Sequence, residues 1–439
     1  MSARSSSTPA HRVVIVGGGA GGLELAARLG RAHGPAHVTL VDERPFHIWK
    51  PSLHEAAAGT LDIHQEGLSY LMLAHLCHFS FVLGRMQRVD RANRMVGVQP
   101  VVDASGKAII PERALPYDTL VLAVGSVANF YNTPGAAEHA ITLDSTDNAE
   151  EFRLTLLKAM VQVDQAKVHD PTARLNIVIV GGGATGVELA VELHEASHVV
   201  GAYGLPSFQP ERDLTITLIE GASRILAPLP ERLSRAAAQR LAELGIKVHT
   251  GRRVAEVTAN SVKTDDGAVF DAHLCLWAAG IQGPPILRGL QLPMNRIGQL
   301  EVNDRLETQD PRILAFGDCA AAPWTGHGTV PARAQAAHQQ AAYLARKIGA
   351  RIRQQPEPAT GYVYKDYGSL VSLGQGAGVG SLMGKLAGRG LFVSGTLARF
   401  MYMSLHLMHH RALLGLWRTA CLALGRVLLR RTRPRVKLH

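Results

Sequence analysis

Residues 13–22 read VVIVGGGAGG and residues 177–186 read IVIVGGGATG. A pattern repeated at so large a separation marks two copies of one supersecondary unit. In each copy four β-branched residues suit a strand buried on both faces of a parallel sheet. A glycine turn follows, and then a stretch with helical apolar spacing, LELAARLG in the first copy and VELAVELHEAS in the second. The glycines divide the work: Gly17 and Gly181 allow the bend, Gly19 and Gly183 let backbone approach a pyrophosphate, and Gly22 and Gly186 let helix and strand pack closely. The phosphates would sit on the helix N-terminus.

A lone glycine fingerprint is weak evidence, but here each copy also has an acid at the end of a second strand. HVTLVD ends in Asp42 and TITLIE ends in Glu220, where a carboxylate can take both hydroxyls of an adenosine ribose. Glu220 lies 39 residues after Gly181, against a usual spacing of about 20. The extra length is GLPSFQPERD, whose prolines end the preceding helix, so this loop reads as an insertion.

Three more apolar runs complete the frame. DTLVLAVGS ends in a small-residue turn at Gly125, HLCLWAAG ends in one at Gly280, and RILAFGDCA delivers Asp318 at its carboxyl end. The expected fold is α/β, with two Rossmann-like dinucleotide-binding domains, the second (174–284) inserted in the first (11–150 and 285–355). A C-terminal region, 360–439, follows.

Composition narrows the class. With 46% hydrophobic and 19% charged residues over 439 positions, the chain is globular rather than disordered. From residue 360 onward twelve Lys or Arg face one acid, Asp366, so this region carries +11 of the net +10 and the rest sums to −1. The four cysteines, Cys77, Cys275, Cys319 and Cys421, form no CxxC pair, which excludes a disulfide framework and a zinc ribbon and points to a reducing compartment. MSARSSSTPAHR runs straight into the first strand without the apolar stretch of a signal peptide, so a cytoplasmic chain is expected.

Together these residues resemble the two-dinucleotide-binding-domain flavoproteins, and within them the type II NADH:quinone oxidoreductases. The resemblance runs from Val13 to about Arg430. Both glycine fingerprints, LVLAVGS, LWAAG and FGD carry the broad likeness. HIWKPSLHEAAAGTLD (47–62), ARAQAAHQQ (332–340) and YKDYGSLVSLG (364–374) carry the narrower one. Two positions depart from the pattern: Ser52 stands where a leucine is more usual, and Ala332 replaces a second proline before RAQ.

The resemblance implies FAD on the first fold, held by Gly17, Gly19, Gly22, Asp42, Lys50, Gly125 and Asp318, the last on the ribityl chain. It implies NADH as substrate on the second, held by Gly181, Gly183, Gly186, Glu220 and Gly280. Glu188 resembles the glutamate that faces the nicotinamide and quinone side of the flavin, and Gln335 and Gln339, four apart on one helix face, resemble the pair lining the quinone pocket. Lys50, with His47 and His54, lies in the segment passing the flavin. An acid at Glu220 disfavours the 2′-phosphate of NADPH, although Arg224 could reach the same region. His338 reads as a solvated neighbour, and Cys319 as a small buried residue.

From residue 391 to 429 the chain is apolar, but Arg399, Arg411, Arg418 and Arg426 interrupt every stretch long enough to span a bilayer. On a helical wheel Arg411, Arg418, Arg426, Arg430 and Arg433 gather on one side. Leu413, Trp417, Ala420, Cys421, Leu424 and Leu428 gather on the other, with Leu422 and Leu429 among the arginines. That is the pattern of an amphipathic membrane anchor on an anionic bilayer surface. His406, His409 and His410 have metal-like spacing but lack a carboxylate partner and read as an interfacial helix face; no metal is expected. RRTRPRVK lacks a basic-aromatic platform, so no nucleic acid is expected.

The sequence thus describes a monotopic flavoenzyme on the cytoplasmic face of the cell membrane. It would oxidise NADH, pass two electrons to a membrane quinone and pump no protons; a homodimer is left open. A sulfide:quinone reductase shares fold and anchor but needs paired cysteines near the flavin. A flavin-containing interaction protein whose tail binds a partner is the rival from outside the enzymes.

Overall fold

The computed structural model describes residues 10–374, 378–382, 391–394, 396–429 and 436–437. The first glycine stretch forms strand β1 (Val13–Val16) and helix α1 (Ala20–His33), and β2 (Val38–Asp42) follows in parallel beside β1. After the short helix α2 (Leu53–Ala58), β3 (Ser80–Leu83) pairs with the outer edge of β2, and β4 (Thr119–Leu122) pairs with β1 on its other side. A two-residue strand, β5 (Val127–Ala128), leads out of this unit.

The chain then builds a second sheet. Edge strand β6 (Ile141–Thr142) and helix α3 (Thr146–Ala166) precede the second glycine stretch, which forms β7 (Leu175–Val180) and α4 (Ala184–Ala202). Strands β8 (Leu214–Glu220), β9 (Lys247–Thr250) and β10 (Leu274–Trp277) complete a parallel sheet in the order β6–β10–β7–β8–β9. Next β11 (Ile281–Gln282) runs back antiparallel to β5, and β12 (Ile313–Ala315) returns to pair with β4 in the first sheet. The second unit therefore interrupts the first.

The four-residue apolar runs behave as their sequence requires. In β1, Val13 and Ile15 enter one core cluster and Val14 and Val16 the opposite one. In β7, Ile177 and Ile179 face one side and Val178 and Val180 the other. A strand with helices or loops on both faces buries every side chain, at roughly 1.5–3 kcal/mol for each Val or Ile.

Helix α5 (Ala334–Ile352) packs on the first unit, and an antiparallel sheet β13 (Gly368–Ser372), β14 (Gly378–Leu382) and β15 (Leu391–Ser394) follows. The apolar run that opens at Leu391 thus begins as a strand. Helix α6 (Thr396–Leu429) comes next, and Gly415, at φ 79°, breaks it in two. The amphipathic wheel assumed one uninterrupted helix across that position, and the break resets its phase. In the first half Leu413 is buried in the core of the first unit, and Arg31 donates to the carbonyls of Ala412 and Leu413, capping that half. In the second half Leu416, Trp417, Leu424 and Leu428 are exposed, Trp417 by 80%. Arg411 and Arg418 are exposed too, whereas the side chains of Arg426 and Arg430 and residue Arg433 lie outside the described residues. Among the described residues, no helix is long and apolar enough to cross a membrane.

Candidate active site

The two glycine turns share one geometry. A Cβ on Gly22 would overlap the carbonyl oxygen of Gly17, and one on Gly186 would overlap that of Gly181, so helix and turn touch where only hydrogen fits. At the middle glycines the opposite holds: a Cβ on Gly19 or on Gly183 would meet nothing within 4 Å. Each of these open positions is also the N-cap of its helix, α1 or α4, and neither has a side-chain cap. Free N–H groups at a helix start, with open space in front, form a phosphate cradle.

The paired acids close each turn in the same way. Asp42 Oδ2 accepts from the Gly18 amide at 2.6 Å and Oδ1 from Arg44 at 2.9 Å. Glu220 Oε2 accepts from Gly182 and Oε1 from Ala222, both at 2.6 Å. Burial pushes the Asp42 carboxyl up, against its two amide donors. Arg224, which the sequence brought near Glu220, donates instead to the carbonyls of Leu226, Ala227 and Leu229. Its guanidinium serves its own loop.

Two groups at the first turn carry no signal in the glycine pattern. Tyr70 Oη donates to the Gly18 carbonyl at 2.6 Å, and His47 Nδ1 lies 3.0 Å from the same oxygen. His47 Nε2 in turn lies 2.9 Å from His409 Nε2, on the first half of α6. Burial lowers the His47 imidazole to about 4 and His409 well below its ordinary value. His409 and His410 are both buried, so this part of HLMHH is docked on the body rather than forming an interfacial face.

At the carboxyl ends of β4 and β12, Ser126 Oγ donates to Asp318 Oδ2 at 3.0 Å and Lys50 Nζ donates to the Ser126 carbonyl at 2.9 Å. Gly125, at φ 70°, leaves open space beside them. Gln340, buried and unassigned by the sequence, accepts from the Gly317 amide at 2.8 Å and fixes the turn that presents Asp318. Cys319 is fully buried, and burial pushes its thiol up to about 12.

Glu188, on α4, is buried. Its Oε1 accepts from the Ser372 amide at 2.9 Å, and its Oε2 lies 3.8 Å from His54 Nδ1 on α2. Burial pushes this carboxyl up to about 8, and Glu55 and Glu192 push the same way. Burial likewise lowers His54 to about 4, and its Nε2 is buried without a hydrogen-bond partner among the described residues.

Gln335 and Gln339 use their carboxamides on one segment. Gln335 Nε2 donates to the Gly368 carbonyl at 2.9 Å and its Oε1 accepts from Tyr367; Gln339 makes both of its bonds to the Lys365 backbone. The pair thus zips residues 365–368 to α5. Strand β13, which starts there, ends at Ser372 on Glu188, so one strand joins the glutamines to the glutamate. His338, read as solvated, has a side chain 41% exposed, and its Nδ1 lies 2.6 Å from Glu24 Oε2, the other oxygen of which takes the Arg28 guanidinium at 2.7 Å.

On the second unit Gly280 sits at φ 68°, a backbone conformation that favours glycine, beneath the hydroxyl of the exposed Tyr131. The fold and these sites define a reductase with two dinucleotide sites. The residues fit FAD: an open cradle at Gly19, an acid at Asp42, and Asp318 with Ser126 beside the open turn at Gly125.

Comparison with known proteins agrees. The family model described as pyridine nucleotide-disulphide oxidoreductase matches residues 11–341. A type II NADH:quinone oxidoreductase of Haemophilus influenzae is 40% identical over 97% of this chain and 99% of its own length. The type II NADH:quinone oxidoreductase Ndh of Mycobacterium tuberculosis is 30% identical over 85% of this chain and 80% of its own. Among solved structures, NDH2 of Plasmodium falciparum in complex with NADH superposes with a TM-score of 0.78 at 18% identity, covering 93% of this chain and 96% of that one, a likeness of fold. The chain belongs to the pyridine nucleotide-disulphide oxidoreductase family and, within it, to the type II NADH:quinone oxidoreductases.

Proposed function

We propose that this chain oxidises NADH and passes two electrons, through FAD, to a membrane quinone. The observation that carries the reading is the pair of matched cradles, open at Gly19 and Gly183 and closed by Asp42 and Glu220, on two interleaved sheets. The Haemophilus influenzae relative, similar over nearly its whole length, supports it. FAD, when bound, takes hydride from the nicotinamide and delivers two electrons to quinone.

In this reading residues 11–150 and 285–355 hold FAD, residues 174–284 hold NADH, and residues 360–439 serve membrane association. The amides at Gly19 and the carboxylate of Asp42 bind the adenosine diphosphate of FAD, Gly17 and Gly22 shape that turn, and Asp318, Gly125 and Lys50 hold the rest of the cofactor. Gly181, Gly183, Gly186 and Gly280 shape the NADH site. Glu220 takes the ribose hydroxyls and repels a 2′-phosphate, and Arg224 is turned too far aside to offset it. Quinone reduction consumes two protons with its two electrons. Glu188, protonated at neutral pH, holds one proton at its carboxyl, and Gln335 and Gln339 fix the strand that places it.

The exposed Leu416, Trp417, Leu424 and Leu428 beside exposed Arg411 and Arg418 make the second half of α6 the part that lies in an anionic bilayer surface. The enzyme is then peripheral, on the cytoplasmic face of the cell membrane. A sulfide donor is disfavoured because all four cysteines are free and the buried Cys77, Cys275 and Cys319 belong to three different core clusters.

The test is anaerobic stopped-flow absorbance of the purified flavoprotein in detergent, mixed with NADH and then with a soluble ubiquinone analogue. Rapid bleaching of the flavin band followed by rapid recovery is expected. Bleaching without recovery would remove the quinone, and no bleaching would remove NADH.

A further inference from the structure

Val436 and Lys437 close a basic tail in the sequence, yet both are seated in the body. Val436 is 1% exposed and belongs to the same apolar cluster as Leu53, Ala56 and Ala57 of α2. Lys437 N donates to the Gly59 carbonyl at 2.8 Å, and Arg153 Nη1 donates to the Lys437 carbonyl at 2.9 Å. Arg153, only 2% exposed, is held in turn by both carboxylate oxygens of Glu150. Lys437 Nζ lies 3.4 Å from Asp62 Oδ1 and 3.5 Å from Glu150 Oε1. A guanidinium buried to this degree, aimed at one carbonyl, makes a built receptor for this dipeptide rather than a casual contact.

The receptor adjoins the reactive site. Gly59 caps α2 in the left-handed conformation, at φ 81°, and a Cβ there would press on Val436 Cγ1 at 3.1 Å. Helix α2 is six residues long and carries His54, whose imidazole lies beside Glu188. So short a helix gains little order from its own hydrogen bonds and takes its place from what packs on it.

We infer that Val436 and Lys437 are positioning residues: they latch the C-terminal end of α2 and thereby hold His54 against Glu188. This rests on the reading of Glu188 given above. Val436 belongs to the continuous apolar cluster that also holds Val371 of β13 and Val187 of α4, the strand and helix that bracket the glutamate. Released, α2 admits water to the pair. The Glu188 carboxyl then falls toward the ordinary carboxylate range and the His54 imidazole rises, because burial is the first cause of both shifts. His54 and Glu55 on α2 and Glu192 on α4 are the ionisable groups acting on that carboxyl.

The experiment compares the full-length flavoprotein with a chain ending at Arg435 and with Val436→Asp, Val436→Ala and Val436→Ile, all loaded with FAD in detergent. Difference infrared spectroscopy follows the protonated-carboxyl band that Glu188→Gln removes, titrated over pH, and stopped-flow follows flavin reoxidation by a ubiquinone analogue. The shortened chain and Val436→Asp should lower the titration midpoint by about one pH unit or more and slow reoxidation several-fold at pH 7. Val436→Ala should move both the same way by less, and Val436→Ile should match the parent. If the shortened chain or Val436→Asp fails to retain FAD, Val436→Ala decides. An unchanged midpoint in variants that retain FAD overturns the latch. A shifted midpoint with an unchanged reoxidation profile, in these variants and in Glu188→Gln, keeps the latch and removes Glu188 from quinone reduction.

Discussion

The Ser372 amide donates to Glu188 Oε1 at 2.9 Å, joining the end of strand β13 to the helix behind the second glycine turn. A buried carboxylate would ordinarily take several donors or a cation. Among the described residues Glu188 has this one amide and an imidazole 3.8 Å away that is itself held neutral by burial. The carboxyl therefore keeps its proton up to about pH 8.

That proton sets a pH dependence whose sign is fixed. The folded-state pKa lies above the unfolded value, so the folded chain binds more protons between pH 4.5 and about 8 and loses stability as pH rises through that window. Glu188→Gln should remove this slope, and the melting temperature at pH 8.5 relative to pH 6 reads it. Reoxidation by quinone should decline in the parent as pH rises through about 8 and should be slower and flatter in the variant.

Glu220 holds the second glycine turn with both oxygens, and under the proposed function its loss should act on dinucleotide affinity rather than on the flavin. Glu220→Ala should raise the Michaelis constant for NADH by about tenfold, the scale of a charge-assisted hydrogen bond. It should also narrow the preference over NADPH while FAD content stays unchanged. Steady-state kinetics with both dinucleotides is the check, and an unaltered ratio would take Glu220 off the ribose.

The His47–His409 contact ties the first half of α6 to the turn at Gly18, and burial disfavours a proton on either imidazole, while two protonated rings could not share the hydrogen bond at all. Around it stand Tyr70, Trp49, His406 and His410, with His338 acting from α5. Both folded-state values lie below the ordinary histidine value, so this stability is complete above about pH 6.5 and is lost as pH falls toward 4. Between pH 7 and 4.5 the melting temperature should fall less in His409→Phe than in the parent, because one of the two buried imidazoles that must take up a proton is gone.

The exposed stripe after Gly415 gives a cleaner test of membrane attachment than removing everything past residue 389, which would also strip Leu413 and the Arg31 cap from the first unit. Replacing Leu416, Leu424 and Leu428 with serine should weaken binding to anionic vesicles at least about tenfold, since each leucine gives up several methylene-equivalents of transfer energy. FAD content should not change. Cosedimentation reads the outcome, and undiminished binding would move the anchor elsewhere.

The glycine turns and the strands beside them were legible because their signals are local: a run of β-branched residues, a turn, an acid one strand on. What escaped depends on distant contacts. Nothing in VVIVGGGAGG says that Tyr70 and His47 both reach the Gly18 carbonyl, or that Gln340 presents Asp318. His338 is part-exposed as read, and only its contact with Glu24, on a helix far away in sequence, was out of reach. The wheel for the tail assumed one rotation per residue throughout, and a single positive φ at Gly415 undid it. The last two described residues carried only charge and a valine, and their receptor, Arg153, lies on a helix of the body.

Gln335 tests whether the glutamine pair acts through the strand it holds. Its carboxamide bridges Gly368 and Tyr367, the start of the strand whose other end carries the Ser372 amide. Gln335→Ala removes these two bonds and a third, from Nε2 to Asp366 Oδ1, so the strand, and with it the donor to Glu188, loses its fixed register on α5. Flavin reduction by NADH, which the proposed function assigns to the second glycine turn, should stay within about twofold, whereas reoxidation by quinone should slow about tenfold, the scale of a few lost hydrogen bonds. Gln335→Glu keeps the acceptor to Tyr367 but cannot donate to Gly368 and sets a second carboxylate against Asp366, so it should slow reoxidation at least as much as alanine. Stopped-flow measurement of the two half-reactions separates these rates, and an equal effect on both would mean that the glutamine supports the fold as a whole and not the quinone side of the site.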